Sequence, residues 1–162
     1  MATLTVWKFP QEGDAQRAVD TLEGLQRQEL IKIHDAALVE WTEGKKKPKT
    51  RQLNDLTGAG ALGGAFWGLL FGLLFFIPLL GFALGAAGGA LAGSLRDVGI
   101  DDEFIEETKK SVTPGTSALF VLTSDAVQDK VHDAFGDLNA ELVHTNLSAE
   151  DEAKLHEVFG EH

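Results

Sequence analysis

An uncharged, glycine-rich stretch in the middle of the chain limits what this protein can fold into. Residues 58–95 have the sequence GAGALGGAFWGLLFGLLFFIPLLGFALGAAGGALAGSL, with no charged side chain and one proline, Pro78. A helix needs about 20 apolar residues to cross the hydrocarbon core of a bilayer. The segment is too long for one such helix and suits two, joined near Pro78.

Glycines recur at every fourth position on both sides of this proline. In a helix, that spacing places them along one side, where a second helix can approach closely because no side chains intervene. We therefore predict a glycine-zipper helical hairpin that turns at Pro78. A flexible linker would be polar, and a soluble core helix would have a polar outer side. The predicted packing residues are Gly60, Gly64, Gly68 and Gly72 before the proline, and Gly81, Gly85, Gly89 and Gly93 after it.

Two features of the segment do not fit a simple pair of membrane spans. The residues around Pro78 are its most apolar part, whereas a turn at the far side of a bilayer is normally polar. Trp67 lies in the middle of the first helix and not at an interface. The alternatives to two full membrane spans are a re-entrant hairpin and a hairpin buried against copies of itself.

The flanks of the segment carry every charge of the protein, whose net charge is −11. This acidic balance argues against general nucleic-acid binding, which needs basic surface. The chain has no cysteine, which excludes disulfides and thiolate metal ligands. The first residues, MATLTVWKFPQEGD, lack the apolar core of a signal peptide and are typical of a strand and a turn.

The N-terminal flank has the pattern of a strand, a helix and a hairpin. A strand is predicted at residues 3–9, and Asp14 is placed to cap a helix that follows. A second strand at residues 31–41 is expected to fold back through the turn TEGK into a polar arm that reaches Leu53. The apolar positions of the helix are Ala15, Ala18, Val19, Leu22 and Leu25.

The C-terminal flank begins with a charged helix in DDEFIEETKK, with Asp101 or Asp102 near its start. A strand is predicted at residues 117–123 and another at residues 140–145. Ser148, with Asp151 three residues later, is typical of the start of a last helix. The helix between the two strands, capped by Ser124 or Asp125, has apolar positions at Val127, Val131, Ala134 and Phe135.

Each flank thus contains a strand, a capped helix and a strand. Two such βαβ units predict an α+β protein with a ferredoxin-like fold, in which helices cover one face of a four-stranded antiparallel sheet. The predicted regions are residues 1–55 (the first half with a basic hairpin arm), 56–95 (the membrane-type hairpin) and 96–162 (a helix, the second βαβ unit and a C-terminal helix).

Basic residues flank the apolar segment and predict its topology. Lys/Arg clusters next to membrane segments stay on the cytoplasmic side, and a hairpin returns the chain to the side that it left. We therefore expect the hairpin in the cell (inner) membrane and both flanks in the cytoplasm. The same side chains are candidate contacts for anionic lipid headgroups, although a solvated hairpin arm is a compatible reading. These residues are Lys45, Lys46, Lys47, Lys49, Arg51 and Arg96.

No arrangement of residues indicates catalysis. The five histidines lack the spacing of a metal motif. His34 and Asp35 could meet His144 across a sheet and bind a metal, but polar strand residues more commonly face solvent. The acidic residues 101–107 are typical of a helix start, and GAGALGG lacks the lysine of a phosphate-binding loop. We predict no enzymatic activity, metal or cofactor, and the sequence identifies no small-molecule substrate.

Several stretches together resemble a known family. IHDAALVEW, KKKPKTRQL, the apolar segment, GIDDEFI and PGTSALFVL are similar to a family of small bacterial and archaeal membrane proteins known only as a domain of unknown function. The resemblance extends from residue 31 to about residue 122. It implies membrane association and brings no catalytic residue.

The sequence therefore predicts a non-enzymatic, membrane-associated scaffold that forms homo-oligomers through its glycine-zipper hairpins. Its expected partners are the lipid bilayer and copies of itself. One alternative is a channel or transport component made by the same oligomer, although the segment offers no charged or amide side chain to line a water path. Another is a closed, water-soluble assembly that buries the hairpins.

Overall fold

The computed structural model describes residues 2–28, 33–46, 48–52, 63–76, 99–100, 102–124, 133, 135, 140–148, 150–151 and 153–154. The helices and strands given below lie in these residues. These residues confirm the predicted α+β class. The strands are β1 (Ala2–Phe9), β2 (Ile33–Glu40), β3 (Lys49–Gln52), β4 (Ser117–Ser124) and β5 (Glu141–Leu147). The helices are α1 (Asp14–Arg27), α2 (Gly63–Phe71) with a π-helical continuation, π1 (Gly72–Phe76), and α3 (Asp102–Ser111).

The five strands form an antiparallel sheet in the order β3-β2-β4-β1-β5. β4 lies at the centre because SALFVLTS is apolar along most of its length, and a strand of this kind is covered on both faces. Its residues from Leu119 to Leu122 are all buried. The β-hairpin predicted in the N-terminal flank is confirmed, since β3 pairs with β2 from Ala37 opposite Gln52 to Glu40 opposite Lys49.

Helix α1 covers one face of the sheet. The predicted apolar positions Ala15, Ala18, Val19 and Leu22 are buried, and they pack against Trp7, Phe9, Leu119 and Val121 of the strands. This layer also contains Phe135, whose ring lies edge-on to Trp7 at 5.2 Å between ring centroids.

The prediction that Asp14 caps α1 is wrong. The N-cap residue is Gly13, which has no side chain to offer, and Asp14 is the first residue of the helix. The hydroxyl of Ser117, at the start of β4, accepts the Ala15 N–H at 3.1 Å and donates to the carbonyl of Gln11 at 2.6 Å. A distant residue therefore supplies the cap that a local one was expected to supply.

The expectation that helices cover only one face of a four-stranded sheet is also wrong. The sheet has a fifth strand, β3, and α2, π1 and α3 pack on the face opposite α1. The physical reason lies in the strands, which are apolar on both sides: Leu4 and Val6 of β1 face α2, whereas Trp7 and Phe9 face α1.

Gly99 and Ile100 are the first residues after the apolar segment that the structure describes. Gly99 has φ of +96°, and a Cβ atom there would lie 2.9 Å from both Asp151 Oδ2 and Leu147 Cδ2. Ile100 is buried in the same core as Leu147. Asp151 belongs to the predicted last helix start, where its N–H donates to Ser148 Oγ at 3.1 Å, as its sequence motif predicted. This position therefore requires glycine.

Candidate functional site

The described part of the apolar segment has one buried side, which we call the aromatic layer. Its residues form two rows with a spacing of four, as expected for one side of a helix. All are buried against the sheet, and Trp41 of the β2–β3 turn packs beside them. The aromatic layer consists of Phe66, Trp67, Leu70, Phe71, Leu74 and Phe75.

Phe120, in the central strand, joins this layer to the sheet. Its ring lies edge-on to Phe71 at 5.1 Å and to Trp67 at 6.3 Å between ring centroids. Trp67 and Phe71 stack on each other at 5.7 Å, and Phe71 stacks on Phe75 at 6.1 Å. Aromatic pairs of this kind each contribute about 0.5–1.5 kcal/mol beyond the burial of their area. The helix is therefore anchored to the sheet by its aromatic side chains.

The opposite side of α2 and π1 carries the glycines. Gly68 is exposed and Gly72 half-buried, and a Cβ atom at either position would meet nothing within 4 Å. Gly64 belongs to the same helix. Residues 63–76 contain no charged or amide side chain, although a helix on the surface of a water-soluble protein normally has a polar outer side. The remaining predicted packing and turn positions, Gly60, Pro78, Gly81, Gly85, Gly89 and Gly93, lie outside the described residues.

The described helices contain none that is both long enough and apolar enough to cross a bilayer. Helix α2 has 9 residues and π1 has 5. At about 1.5 Å per residue, together they extend for about 20 Å, against about 30 Å of hydrocarbon in a bilayer.

The Trp41 side chain connects the aromatic layer to the basic turn, by which we mean residues 42–46. Its ring lies edge-on to Phe75, and its Nε1–H donates to the carbonyl of Lys45 at 3.0 Å. The backbone of Trp41 is held by Thr116 and Gly115, through hydrogen bonds of 3.0 and 2.7 Å. The basic turn is thus fixed at the same end of the sheet as Phe75 and Phe76, after which the apolar sequence continues.

The sheet register separates the predicted basic cluster into two parts. Lys45 and Lys46 are exposed in the basic turn, next to the aromatic layer. Arg51 pairs with Leu38, which is buried beneath α1, so Arg51 and its alternate neighbour Lys49 lie on the α1 face. Lys47 and Arg96 are outside the described residues.

One polar atom of the aromatic layer has no partner. Trp67 Nε1 is buried and makes no hydrogen bond with the residues that the structure describes. A buried donor without an acceptor costs about 1–3 kcal/mol. Trp67 was expected to be unusual because it lies in mid-helix, and its burial against Phe120 explains that placement.

The structure does not bring together the histidines considered as metal ligands. His34 is in β2 and His144 in β5, with β4 and β1 between these strands, which corresponds to about 14 Å at the usual strand spacing. Asp35 is buried at a β-bulge, where its Oδ1 accepts the Ala36 N–H at 2.9 Å. No group of three acidic, histidine or cysteine residues suited to a metal occurs in the described part of the chain.

The acidic residues of the C-terminal flank form the exposed side of a helix. α3 begins at Asp102, and Glu103, Glu106 and Glu107 are exposed, whereas Phe104 and Ile105 are buried in the core with the aromatic layer. This agrees with the interpretation of residues 101–107 as a helix start.

The docking of the apolar segment onto the sheet was missed in the sequence. Two features pointed to it: the aromatic residues lie on the side opposite the glycines, and β1 is apolar on both sides. Both suggest a helix that covers a second sheet face.

Comparison with known proteins identifies the family. The model of a family described as "Protein of unknown function (DUF1269)" matches residues 61–160. No curated protein and no solved structure matches the chain. The matched residues include α2, π1, α3, β4 and β5 and make up more than half of the sequence. This agrees with the resemblance inferred from the sequence motifs. The chain therefore belongs to the DUF1269 family of proteins of unknown function.

Proposed function

We propose that this protein is a non-enzymatic scaffold that associates with a bilayer and assembles with copies of itself through the glycine side of α2. The supporting observation is the position of Gly68 and Gly72 on the outer side of a helix whose other side is buried in the sheet. The sheet holds the helix and leaves the open space at Gly68 and Gly72 available to another helix.

Close helix packing is the physical basis of the proposed assembly. Small residues at a spacing of four allow two backbones to approach, so that van der Waals contacts stabilise the pair. The outer side of α2 has no charged side chain whose desolvation would oppose this. The same role is proposed for Gly60, Gly64, Gly81, Gly85, Gly89 and Gly93, with the turn at Pro78, from their spacing alone.

Membrane association is proposed for the apolar residues that follow Phe76, with the basic turn against lipid headgroups. Trp41 supports this, because a tryptophan between apolar and charged groups is typical of membrane interfaces. Lys45 and Lys46 would each contribute about 1 kcal/mol at an anionic surface. Lys47 and Arg96 are further candidates by sequence, whereas Lys49 and Arg51 lie on the α1 face and are not assigned to this contact. We propose the inner face of the cell membrane as the location, with both flanks in the cytoplasm.

We further propose that the α+β fold is of the ferredoxin-like type, extended by β3. The order β2-β4-β1-β5 is the one that two βαβ units produce. The contacts of the Phe135 ring with Trp7 and Phe9 on the α1 face support this proposal.

A closed, water-soluble assembly is the second candidate. It is favoured by the burial of residues such as Phe71 and Phe75 against the protein's own sheet, because these side chains need no lipid to cover them. A channel receives no comparable support, since residues 63–76 include no charged or amide group.

Substitution of the outward glycines tests the proposal. Gly68→Leu with Gly72→Leu adds two side chains where there is open space, so the folded monomer is retained and close helix approach is blocked. Light scattering in mild detergent should show a smaller particle than for the wild type. Gly24→Leu is the matched control, because Gly24 of α1 also has open space around it. An unchanged mass for the double variant would refute the glycine-mediated assembly. Flotation with vesicles then separates the membrane scaffold from the water-soluble assembly.

A further inference from the structure

Two basic side chains lie on the α1 face of the edge strand β3, away from the basic turn. The register pairs Lys49 with Glu40 and Arg51 with Leu38. Because directly paired residues project to the same side of a sheet, both basic residues are on the side where Leu38 is buried beneath α1.

Arg51 is held in place by α1. One guanidinium nitrogen, Nη2, donates to Gln16 Oε1 at 2.8 Å, and Gln16 Nε2 donates to Asp20 Oδ1 at 3.4 Å. The guanidinium has five N–H donors, so this bond orients the group and leaves the others available.

Neither cation forms an ion pair with the residues that the structure describes. The ion pairs among the described residues join Lys8 to Glu141, Arg17 to Asp14 and Arg27 to Glu23, and none includes Lys49 or Arg51. Glu40 lies opposite Lys49 in the register, so two cations share one carboxylate and leave a local excess of positive charge in a chain of net charge −11. Charges on an edge strand also discourage pairing with other sheets, but that role does not require an oriented guanidinium.

These side chains surround a groove of about 330 Å³ lined by Leu38, Glu40, Lys49, Thr50 and Arg51. This volume is at the lower end of the range for small-molecule sites, about 300–1,000 Å³. Buried Leu38 provides an apolar floor, and half-buried Glu40 provides a hydrogen-bond acceptor.

We propose that this groove binds the phosphate or carboxylate group of a small soluble molecule. Arg51 contributes a planar pair of donors that matches two anionic oxygens, and Lys49 contributes a point charge beside it. Glu40 favours a ligand with a hydroxyl or amino group near the anion, because a second anionic group there would be repelled. The ligand class is a small hydroxylated or aminated phosphate or carboxylate.

The site differs from the proposed headgroup contact by its place in the fold. Lys45 lies on the aromatic-layer side, through its carbonyl bond to Trp41, whereas Lys49 and Arg51 lie on the α1 side. Two double substitutions of equal charge change, K49Q/R51Q and K45Q/K46Q, therefore separate the two surfaces.

Calorimetric titration of the full chain in mild detergent with inorganic phosphate tests the proposal, with sodium chloride of equal ionic strength as the blank. The wild type should bind phosphate saturably. K49Q/R51Q should weaken binding about tenfold or more, and K45Q/K46Q less than about twofold. Arg51→Lys should also weaken phosphate binding, because lysine keeps the positive charge but lacks the planar pair of guanidinium donors. The Arg51 Nε–H and Gln16 side-chain amide resonances should shift on titration.

Absence of saturable binding, or equal weakening by the two double variants, would overturn the proposal. Pelleting with vesicles that contain anionic lipid shows whether the groove binds a lipid headgroup or a soluble anion. K49Q/R51Q should pellet like the wild type, and soluble glycerol phosphate should bind the wild type. If K49Q/R51Q instead loses vesicle association and glycerol phosphate does not bind, the groove is a headgroup site and the small-molecule assignment is wrong. A failure of the wild type to bind vesicles would refute membrane association and leave the phosphate titration unaffected.

Discussion

The rings of Trp41 and Phe75 lie edge-to-face, with 5.7 Å between ring centroids and 83° between ring planes. The contact joins the end of β2 to the end of π1. Because Trp41 Nε1 also donates to the Lys45 carbonyl, one side chain holds both the basic turn and the last described residues of the apolar segment. The proposed lipid-contacting groups are thereby collected at one end of the sheet.

Trp41 substitutions should separate its two contacts. Trp41→Phe keeps an aromatic ring and loses the N–H bond, and should lower the free energy of unfolding by about 1 kcal/mol. Trp41→Ala loses both the ring and the N–H bond and should lower the free energy of unfolding by about 2 kcal/mol. This is less than the loss expected for a fully buried tryptophan, because Trp41 is only half-buried. Urea unfolding measures both values. Equal losses for the two variants would contradict a contribution from the ring contact.

Phe71→Ala should strongly destabilise the protein, because Phe71 is buried between α2 and Phe120. A loss of about 3–5 kcal/mol is expected from the removal of a buried phenylalanine. The measurement is the urea midpoint followed by tryptophan fluorescence. Gly68→Ala, in the same helix but facing outward, should not destabilise it. If Phe71→Ala left the unfolding of the sheet unchanged, the docking of α2 on the sheet would be disproved.

Gly99→Ala should lower the free energy of unfolding by about 1–3 kcal/mol. An alanine is strained at φ of +96°, and its Cβ would contact Asp151 and Leu147. Gly24→Ala is the matched control and should stabilise the protein by about 0.5–1 kcal/mol, as glycine is unfavourable within a helix. Thermal unfolding of the two variants should therefore shift in opposite directions. Shifts of the same sign would rule out this role for Gly99.

Ser117→Ala should destabilise the start of α1 by about 1–2 kcal/mol, since it removes the acceptor of the Ala15 N–H. Asp14→Asn should cost only about 0.3–1 kcal/mol, through the loss of negative charge at the helix N-terminus. Hydrogen exchange at the Ala15 amide gives a local measure and should accelerate in Ser117→Ala. Greater acceleration in Asp14→Asn would restore Asp14 as the cap.

Local patterns predicted most of the fold that the structure describes. The strand around Val6, the helical spacing from Ala15 to Leu22 and the Ser148 motif depend on neighbouring residues, and these predictions were confirmed. Ser117 was missed as a cap because it lies 102 residues from Ala15. Such a contact depends on strand pairing, which sequence spacing does not encode.

The candidate site was only partly predictable for the same reason. The glycine spacing indicated a side of the helix, and Gly68 does lie opposite the aromatic residues. The basic residues were treated as one cluster because they are neighbours in sequence. Register alone places Arg51 on the α1 face, and strand order alone separates His34 from His144.

The absence of native cysteine permits a direct test of assembly through the glycine side of α2. Gly68→Cys places a thiol on that side, and Gly24→Cys places one on α1 as the control. Closely packed glycine helices bring Cα atoms within the about 4.4–6.8 Å that a disulfide requires. Mild oxidation of the assembled protein should link Gly68→Cys into covalent dimers and leave Gly24→Cys monomeric. If Gly68→Cys forms dimers no faster than Gly24→Cys, the glycine side of α2 is not the contact between copies.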